Sequence, residues 1–229
     1  MNSQAVMSLR LYMHPLASFC WKPLIALYEN ETPFDPQIVD LGNDASRAAF
    51  LKIWPMGKFP LLRDETRDQT IPESTIIIEY LAQHYPGKTM LLPADPDLAR
   101  EARLRDRFFD MYVQEPMQKI VGDRLRPPSS KDPFGVAHAR STLHTAYGIA
   151  EQEMATKTWA CGESFTLADC AAAPALFYAN IVQPFGNSQV KLQAYLERLL
   201  QRPSFARVIR EARPYFAMFP TEPGDHAPS

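Results

Sequence analysis

Apolar residues alternate with other types over residues 9–13. Leu9, Leu11 and Met13 fall on one side, Arg10 and Tyr12 on the other. That period of two predicts a strand, closed by Pro15. The period then changes. Leu24, Leu27 and Tyr28 recur at helical spacing and predict a helix over 18–30. Ser18 can cap it, and Pro23 sits near its first turn, where a missing N–H costs least. Phe34, Ile38 and Val39 mark a second strand over 33–40. A short helix follows over 44–52, with Asp44 as its cap. Two short runs, 60–64 and 67–71, flank Glu65-Thr66 as a hairpin. Ile77, Ile78, Leu81, Ala82 and Tyr85 share one face of a helix that begins at Ser74. The order is β-α-β-α-β-β-α. Its first βαβ unit predicts parallel strands joined by a right-handed crossover.

Pro86, Gly87, Pro93 and Pro96 break any regular element over 85–97. Beyond them the strand patterns stop. Helices are predicted over 97–126, with a kink at Pro116, and over 132–156, 166–183, 188–201 and 203–212. The chain reads as a small α/β domain over 8–86, an all-helical domain over 97–213 and a proline-rich tail over 214–229.

Charge and cysteine usage narrow the function classes. The 24 basic and 26 acidic side chains leave a formal net charge of −2. Without long basic runs there is no electrostatic reason to expect a nucleic-acid partner. No stretch approaches the ~18 apolar residues of a membrane span. The opening residues are too short and polar for a signal peptide, so a cytoplasmic protein is expected. Residues 1–7 read as an extension, or as sequence ahead of a start at Met7. The cysteines, 20, 161 and 170, are odd in number and form no C-x-x-C pair. That argues against a zinc ribbon or a dithiol motif and fits a reducing compartment. No metal is expected.

Three segments carry more than structure. G-K-F-P-L-L at 57–62 puts Pro60 at the start of a strand. P-E-S-T-I-I-I-E-Y-L at 72–81 opens a helix on Glu73-Ser74. A serine hydroxyl and free N–H groups there can hold a carboxylate, helped by the helix dipole, or can simply cap the helix. F-T-L-A-D-C-A-A-A-P at 165–174 has the form of a capping box, Thr166 with Asp169, flanked by Phe165 and Cys170 as a hydrophobic staple. In this order and spacing, the three segments and the domain layout resemble the cytosolic glutathione transferases, in a bacterial serine- or cysteine-type form. The resemblance spans roughly residues 8–213. It implies a thioredoxin-like α/β N-terminal domain, an all-α C-terminal domain and a homodimer.

The resemblance also implies a site with glutathione as co-substrate. Pro60 would be cis, turning the Phe59 N–H and C=O outward to pair with the cysteinyl backbone of the tripeptide. Read alone, Pro60 is a trans proline at a strand start. Ser74 would take the γ-glutamyl carboxylate, Glu73 the ammonium and Lys58 the glycyl carboxylate. Outside the family context Glu73 and Lys58 are solvated surface charges. The bound thiol must become a thiolate. Lowering a thiol by about two units from ~8.5 requires ~2.7 kcal/mol of preferential stabilisation. The family supplies a hydroxyl or a cysteine near the end of the first strand. Counting back from Ile25-Ala26-Leu27, that position is Ala17, a departure. Ser18, the next residue, is the first candidate, with helix capping as its other reading. Cys20 is the second: a thiol near a helix start is acidified, while a buried one is a packing residue. Tyr12 stands off the position of the family's tyrosine classes, and His14 before Pro15 closes a turn. A small apolar electrophile would lie near Ala17 and the first long helix. Phe108, Phe109, Tyr112 and Met117 are candidate contacts, with Arg105 as a polar one; the same stripe also suits a core. Cys161 and Cys170 read as structural.

Three functions follow. The first is glutathione transfer to an apolar electrophile, or related glutathione chemistry. The second is a non-catalytic protein of the same fold that docks a protein partner, favoured by Ala17 and the tail. The third is a thiol reductase working through Cys20.

Overall fold

The computed structural model describes residues 8–226. Residues 1–7, read above as an extension, and 227–229 lie outside it. Strand β1 (Leu9–Met13) buries Leu9, Leu11 and Met13 and leaves Arg10 and Tyr12 half-buried, as the alternation predicts. It pairs in parallel with β2 (Asp35–Ile38) and antiparallel with β3 (Leu61–Asp64); β3 pairs antiparallel with β4 (Gln69–Pro72). The sheet order is β2-β1-β3-β4. Strand β2 is shorter than its pattern suggests. Pro36 lacks a donor, which an edge strand tolerates. The hairpin turn takes four residues rather than two, because Asp68 turns the chain in the left-handed region at φ +51.

Helix α1 (Ser18–Glu29) and helix α3 (Ser74–His84) join β1 and β3 in the main core. Helix α2 (Asp44–Ile53) covers a smaller cluster of Val39, Phe50 and Leu61. Its cap is Asn43, not Asp44: the Asn43 side chain accepts from the Ser46 N–H at 3.0 Å. Asp64 closes the far end of β3, fully buried and accepting from the hydroxyls of Tyr80 at 2.7 Å and Tyr85 at 2.6 Å.

The second unit holds α4 (Pro96–Phe108), α5 (Glu115–Arg124), α6 (Pro133–Glu153), α7 (Leu167–Val182), α8 (Val190–Gln201) and α9 (Pro203–Ala212). The expected long helix over 97–126 is broken earlier than a Pro116 kink would place it. A π-helical segment, Phe109–Gln114, separates α4 from α5. Pro116 offers no N–H to the Tyr112 carbonyl, so the turn before it widens. Helix α7 is buried on nearly every side, and its alanines let α1, α4 and α5 approach closely. The capping box is present. The Thr166 hydroxyl accepts from the Ala168 N–H, one residue earlier than its expected N3 partner, and Asp169 accepts from the Thr166 N–H at 2.8 Å. One hydrophobic cluster runs through both units. Trp21 of α1 lies at their junction, with the rings of Tyr178 and Phe177 at 4.8 and 5.3 Å.

The chain does not trail away after α9. A 3-10 segment, Arg213–Met218, packs Phe216 beside Phe177, and residues 219–226 fold back along α5 and α7. Among the described residues no helix is long and apolar enough to cross a membrane.

Candidate functional site

The loop between β1 and α1 is held from both units. The Trp21 indole donates to the Pro15 carbonyl at 2.6 Å, and the Tyr178 hydroxyl donates to the Leu16 carbonyl at 3.0 Å. His14 closes the turn as expected: its Nδ1 accepts from the Leu16 N–H at 3.2 Å. Two cavities of opposite character lie where this loop enters α1, lined by successive residues of the chain.

The first, about 200 Å³, is polar. Lys58, Phe59, Pro60, Glu73 and Ser74 line one side of it. These five residues, the binding set expected from sequence, therefore share one cavity. Phe59-Pro60 is a cis peptide. Glu73 takes φ +70, a conformation rare for a residue with a side chain and concentrated at functional sites. It serves as the N-cap position of α3, and Ser74 is the first helical residue rather than the cap. The first N–H groups of α3 thus open beside the Ser74 hydroxyl, a ready place for an anion.

The other side of this cavity comes from the second unit: Arg107, Asp110 and Glu115. Sequence reasoning missed all three. Their only mark was charge on an otherwise amphipathic helical stretch. Asp110 belongs to a buried network. The Lys22 ammonium, 1% exposed, bonds Asp110 at 2.6 Å, Asp106 at 2.8 Å and Thr75 at 2.9 Å. Arg107 pairs with Asp110 and donates to the Thr75 hydroxyl. Burial raises the Asp110 carboxyl above its ordinary range, against the pull of Lys22. The network ties α1, α3 and the π segment together directly beneath Ser74.

The second cavity, about 320 Å³, is apolar. Leu16, Ala17 and Ser18 form its floor, Met117 and Val121 of α5 one wall, and Phe219 the other. No charged side chain lines it. Phe19, the next residue of α1, lines the polar cavity instead. A group bound across residues 17–19 would touch both.

Ser18 is 6% exposed, and its Oγ accepts from the Gln114 side-chain amide of the π segment. It does not cap α1; the cap position is Ala17, which offers no side-chain bond. With its oxygen engaged by Gln114, the Ser18 hydroxyl keeps its own proton to donate. Cys20 has no exposure, and burial pushes its thiol up to about 12. It has the surroundings of a packing residue, not of a thiolate at a helix start. Cys170 is also fully buried and Cys161 half-buried.

The expected aromatic contacts are redistributed. Phe109 is core at 4% exposure. Phe108 and Tyr112 line a separate groove with His138 and Ile149 of α6. Arg105 is held by Glu101 at 2.7 Å and Glu153 at 3.0 Å. Of the proposed contacts, Ala17 and Met117 reach the apolar cavity.

Comparison with known proteins bears on the fold and the family. The N-terminal domain of the glutathione S-transferases matches residues 11–89, and their C-terminal domain matches residues 117–203. Glutathione S-transferase GstB of Escherichia coli (strain K12) is 25% identical over 192 residues, covering 82% of this chain and 91% of its own. A stringent starvation protein A homolog of Haemophilus ducreyi is 26% identical over 224 residues, covering 95% and 96%. A glutathione S-transferase structure from Methylobacillus flagellatus KT, solved with GSH bound, superposes with a TM-score of 0.80 at 22% identity, covering 88% of this chain and 98% of that one. Two successive domains of one family, matched in order, and that family's fold shared along most of the length place the chain in the glutathione S-transferase family.

Proposed function

We propose that the chain binds glutathione in the polar cavity and transfers its thiolate to a small apolar electrophile in the adjoining one. One observation carries this reading: successive residues at the N-terminus of α1 line an uncharged cavity and a mixed-charge one, Ser18 the first and Phe19 the second. Glutathione brings two carboxylates and an ammonium. Ser74 with the first N–H groups of α3 suits the γ-glutamyl carboxylate, Glu73 the ammonium, and Lys58 the glycyl carboxylate. The backbone of Phe59 pairs with the cysteinyl residue. That leaves the sulfur over residues 17–19. There the Ser18 proton and the α1 dipole stabilise the thiolate. The apolar cavity supplies proximity for attack on an electrophilic carbon.

Calorimetry with glutathione tests the reading, paired with ultraviolet absorbance of the bound thiolate as pH rises. Ser74→Ala should weaken binding by ~1.5–3 kcal/mol, the usual worth of one hydrogen bond to a charged group. Ser18→Ala should leave binding in place and move thiolate formation to higher pH. An unaltered dissociation constant in Ser74→Ala would refute the carboxylate role.

A second reading, binding without conjugation, is favoured by residue 17. An alanine stands where the resemblance leads one to look for the activating group. The Haemophilus ducreyi homolog shows that this chain's relatives include proteins not named as transferases. Tight glutathione binding with no thiolate near neutral pH would select this reading. Residues 219–226 are engaged with α5 and α7, so the tail itself gives it little support.

A further inference from the structure

The polar cavity and the loop between β1 and α1 do not explain why the proline-rich tail is so closely fastened. Beyond Met218 the chain turns at Glu222-Pro223-Gly224-Asp225. Gly224 takes φ +97, and the Asp225 N–H bonds the Glu222 carbonyl at 3.1 Å. Proline second and a positive-φ glycine third are what a type II turn demands. The turn presents Asp225 to Arg124, the last residue of α5. The guanidinium grips both carboxylate oxygens, Nη1 to Oδ2 at 2.6 Å and Nη2 to Oδ1 at 2.9 Å. Nη1 also donates to the Pro220 carbonyl at 2.9 Å, and Glu222 lies 3.4 Å from Nε. Both partners are almost fully buried, at 5% and 7% side-chain exposure. Past the turn, the His226 N–H donates to the Ile181 carbonyl of α7 at 3.1 Å.

These bonds hold the strand of chain that walls the apolar cavity. Phe219 stacks on Tyr178 at 5.5 Å and 25°, and with Met218 and Pro220 it faces Met117 and Val121 across the cavity. Gly122 lies on that cavity too, and a Cβ there would meet no atom within 4 Å, so the α5 wall leaves that space open.

We propose that residues 219–226 are a clasp that shapes the second-substrate cavity, with Arg124 as its positioning residue. The proposal rests on the reading of the polar cavity as a glutathione site. Arg124 does not line the apolar cavity. It acts through Asp225 and Pro220, which set how closely Phe219 approaches α5. The clasp selects an uncharged, slender apolar group, since its walls offer no partner for a charge. Burial alone would raise the Asp225 carboxyl. Arg124 instead holds it below its ordinary value, so the pair stays ionised at neutral pH.

Glutathione and S-hexylglutathione separate the two cavities, because they share the peptide and differ by an alkyl chain. In the unmodified chain S-hexylglutathione should bind more tightly by calorimetry. Arg124→Gln and Asp225→Asn should each lower its affinity about tenfold, equal to ~1.4 kcal/mol, and leave glutathione unchanged. Asp225→Glu, which keeps the charge, should restore most of the loss. Unchanged S-hexylglutathione affinity in both variants would overturn the proposal, as would equal loss of both ligands. If neither ligand binds the unmodified chain, the glutathione reading falls and the clasp's part in selectivity falls with it. Amide exchange at His226 needs no ligand and reads the fastening separately. It should be slow in the unmodified chain and faster in Arg124→Gln; equal rates would overturn the clasp.

Discussion

Asp169 is fully buried, and both of its carboxylate oxygens are engaged. One accepts from the Ala160 N–H at 2.8 Å and the Tyr195 hydroxyl at 2.6 Å, the other from the Thr166 N–H at 2.8 Å. A plain N-terminal cap contributes ~1 kcal/mol. Here Asp169→Ala would strand three buried donors as well, each costing about 1–3 kcal/mol. A loss of ~3 kcal/mol or more in urea unfolding is expected, and a loss near 1 kcal/mol would show that Asp169 only caps α7. The capping box was legible because its partners are local in sequence. The contacts of Asp169 with Ala160 and Tyr195 were not, since only folding brings those residues together. The same distinction runs through the site. Lys58, Phe59, Pro60, Glu73 and Ser74 lie on two short local motifs, and their place in one cavity could be expected from sequence. Arg107, Asp110 and Gln114 come from another unit and could not be expected. Cys20 could be read as nucleophile or as packing from sequence, because burial by α7 and α9 is invisible there.

At the scale of elements, α1 is fastened to α9 by a buried carboxylate. Arg202 donates to both oxygens of Glu29, at 2.8 and 2.7 Å, and Ser204 and Thr89 add hydroxyls. Burial alone would raise the Glu29 carboxyl, but these partners together hold it below its ordinary value. A depressed carboxyl releases its proton more readily in the folded chain than in the unfolded one. Its stabilisation is therefore complete above the unfolded value near ~4.3 and fades as pH falls through the lower folded value. Thermal unfolding between pH 6 and acid should show a decline that is shallower in Glu29→Gln than in the unmodified chain. Parallel curves would remove Glu29 from the acid response. Element boundaries show where local pattern stops being enough. Strands β1 and β3 and helices α1 and α3 follow their hydrophobic periods closely, whereas β2 excludes Phe34 and Val39 and leaves Ile38 exposed. The π segment does not follow its pattern either, since residues 109–114 carry an ordinary helical pattern and widen only because Pro116 follows.

At the scale of the whole molecule, one main core spans both parts of the sequence, with a smaller cluster under α2. The main core runs without a break from β1 through α1 into α7, α8 and α9. A chain built this way should unfold in a single step. Tryptophan fluorescence reports on Trp21 at the junction, Trp54 after α2 and Trp159 before α7, and far-ultraviolet circular dichroism reports on the helices. Their denaturation curves should coincide. Two separated transitions would mean that the units are held together more weakly than the continuous core implies. A homodimer, which the resemblance implies, would add a dependence of the midpoint on protein concentration.

Helix α1 belongs to both units at once: its first turn enters the site, and its far side is covered by α7 and α9. The two units are therefore not interchangeable parts. A chimera that grafts another relative's helical unit onto residues 8–86 would meet Trp21 with a socket cut for a different ring, and would leave Lys22 and Glu29 stripped of their acidic and basic counterparts. A recombinant is therefore expected to fold well only when α1 keeps its own α7 and α9 together with the Asp106 and Asp110 that face Lys22.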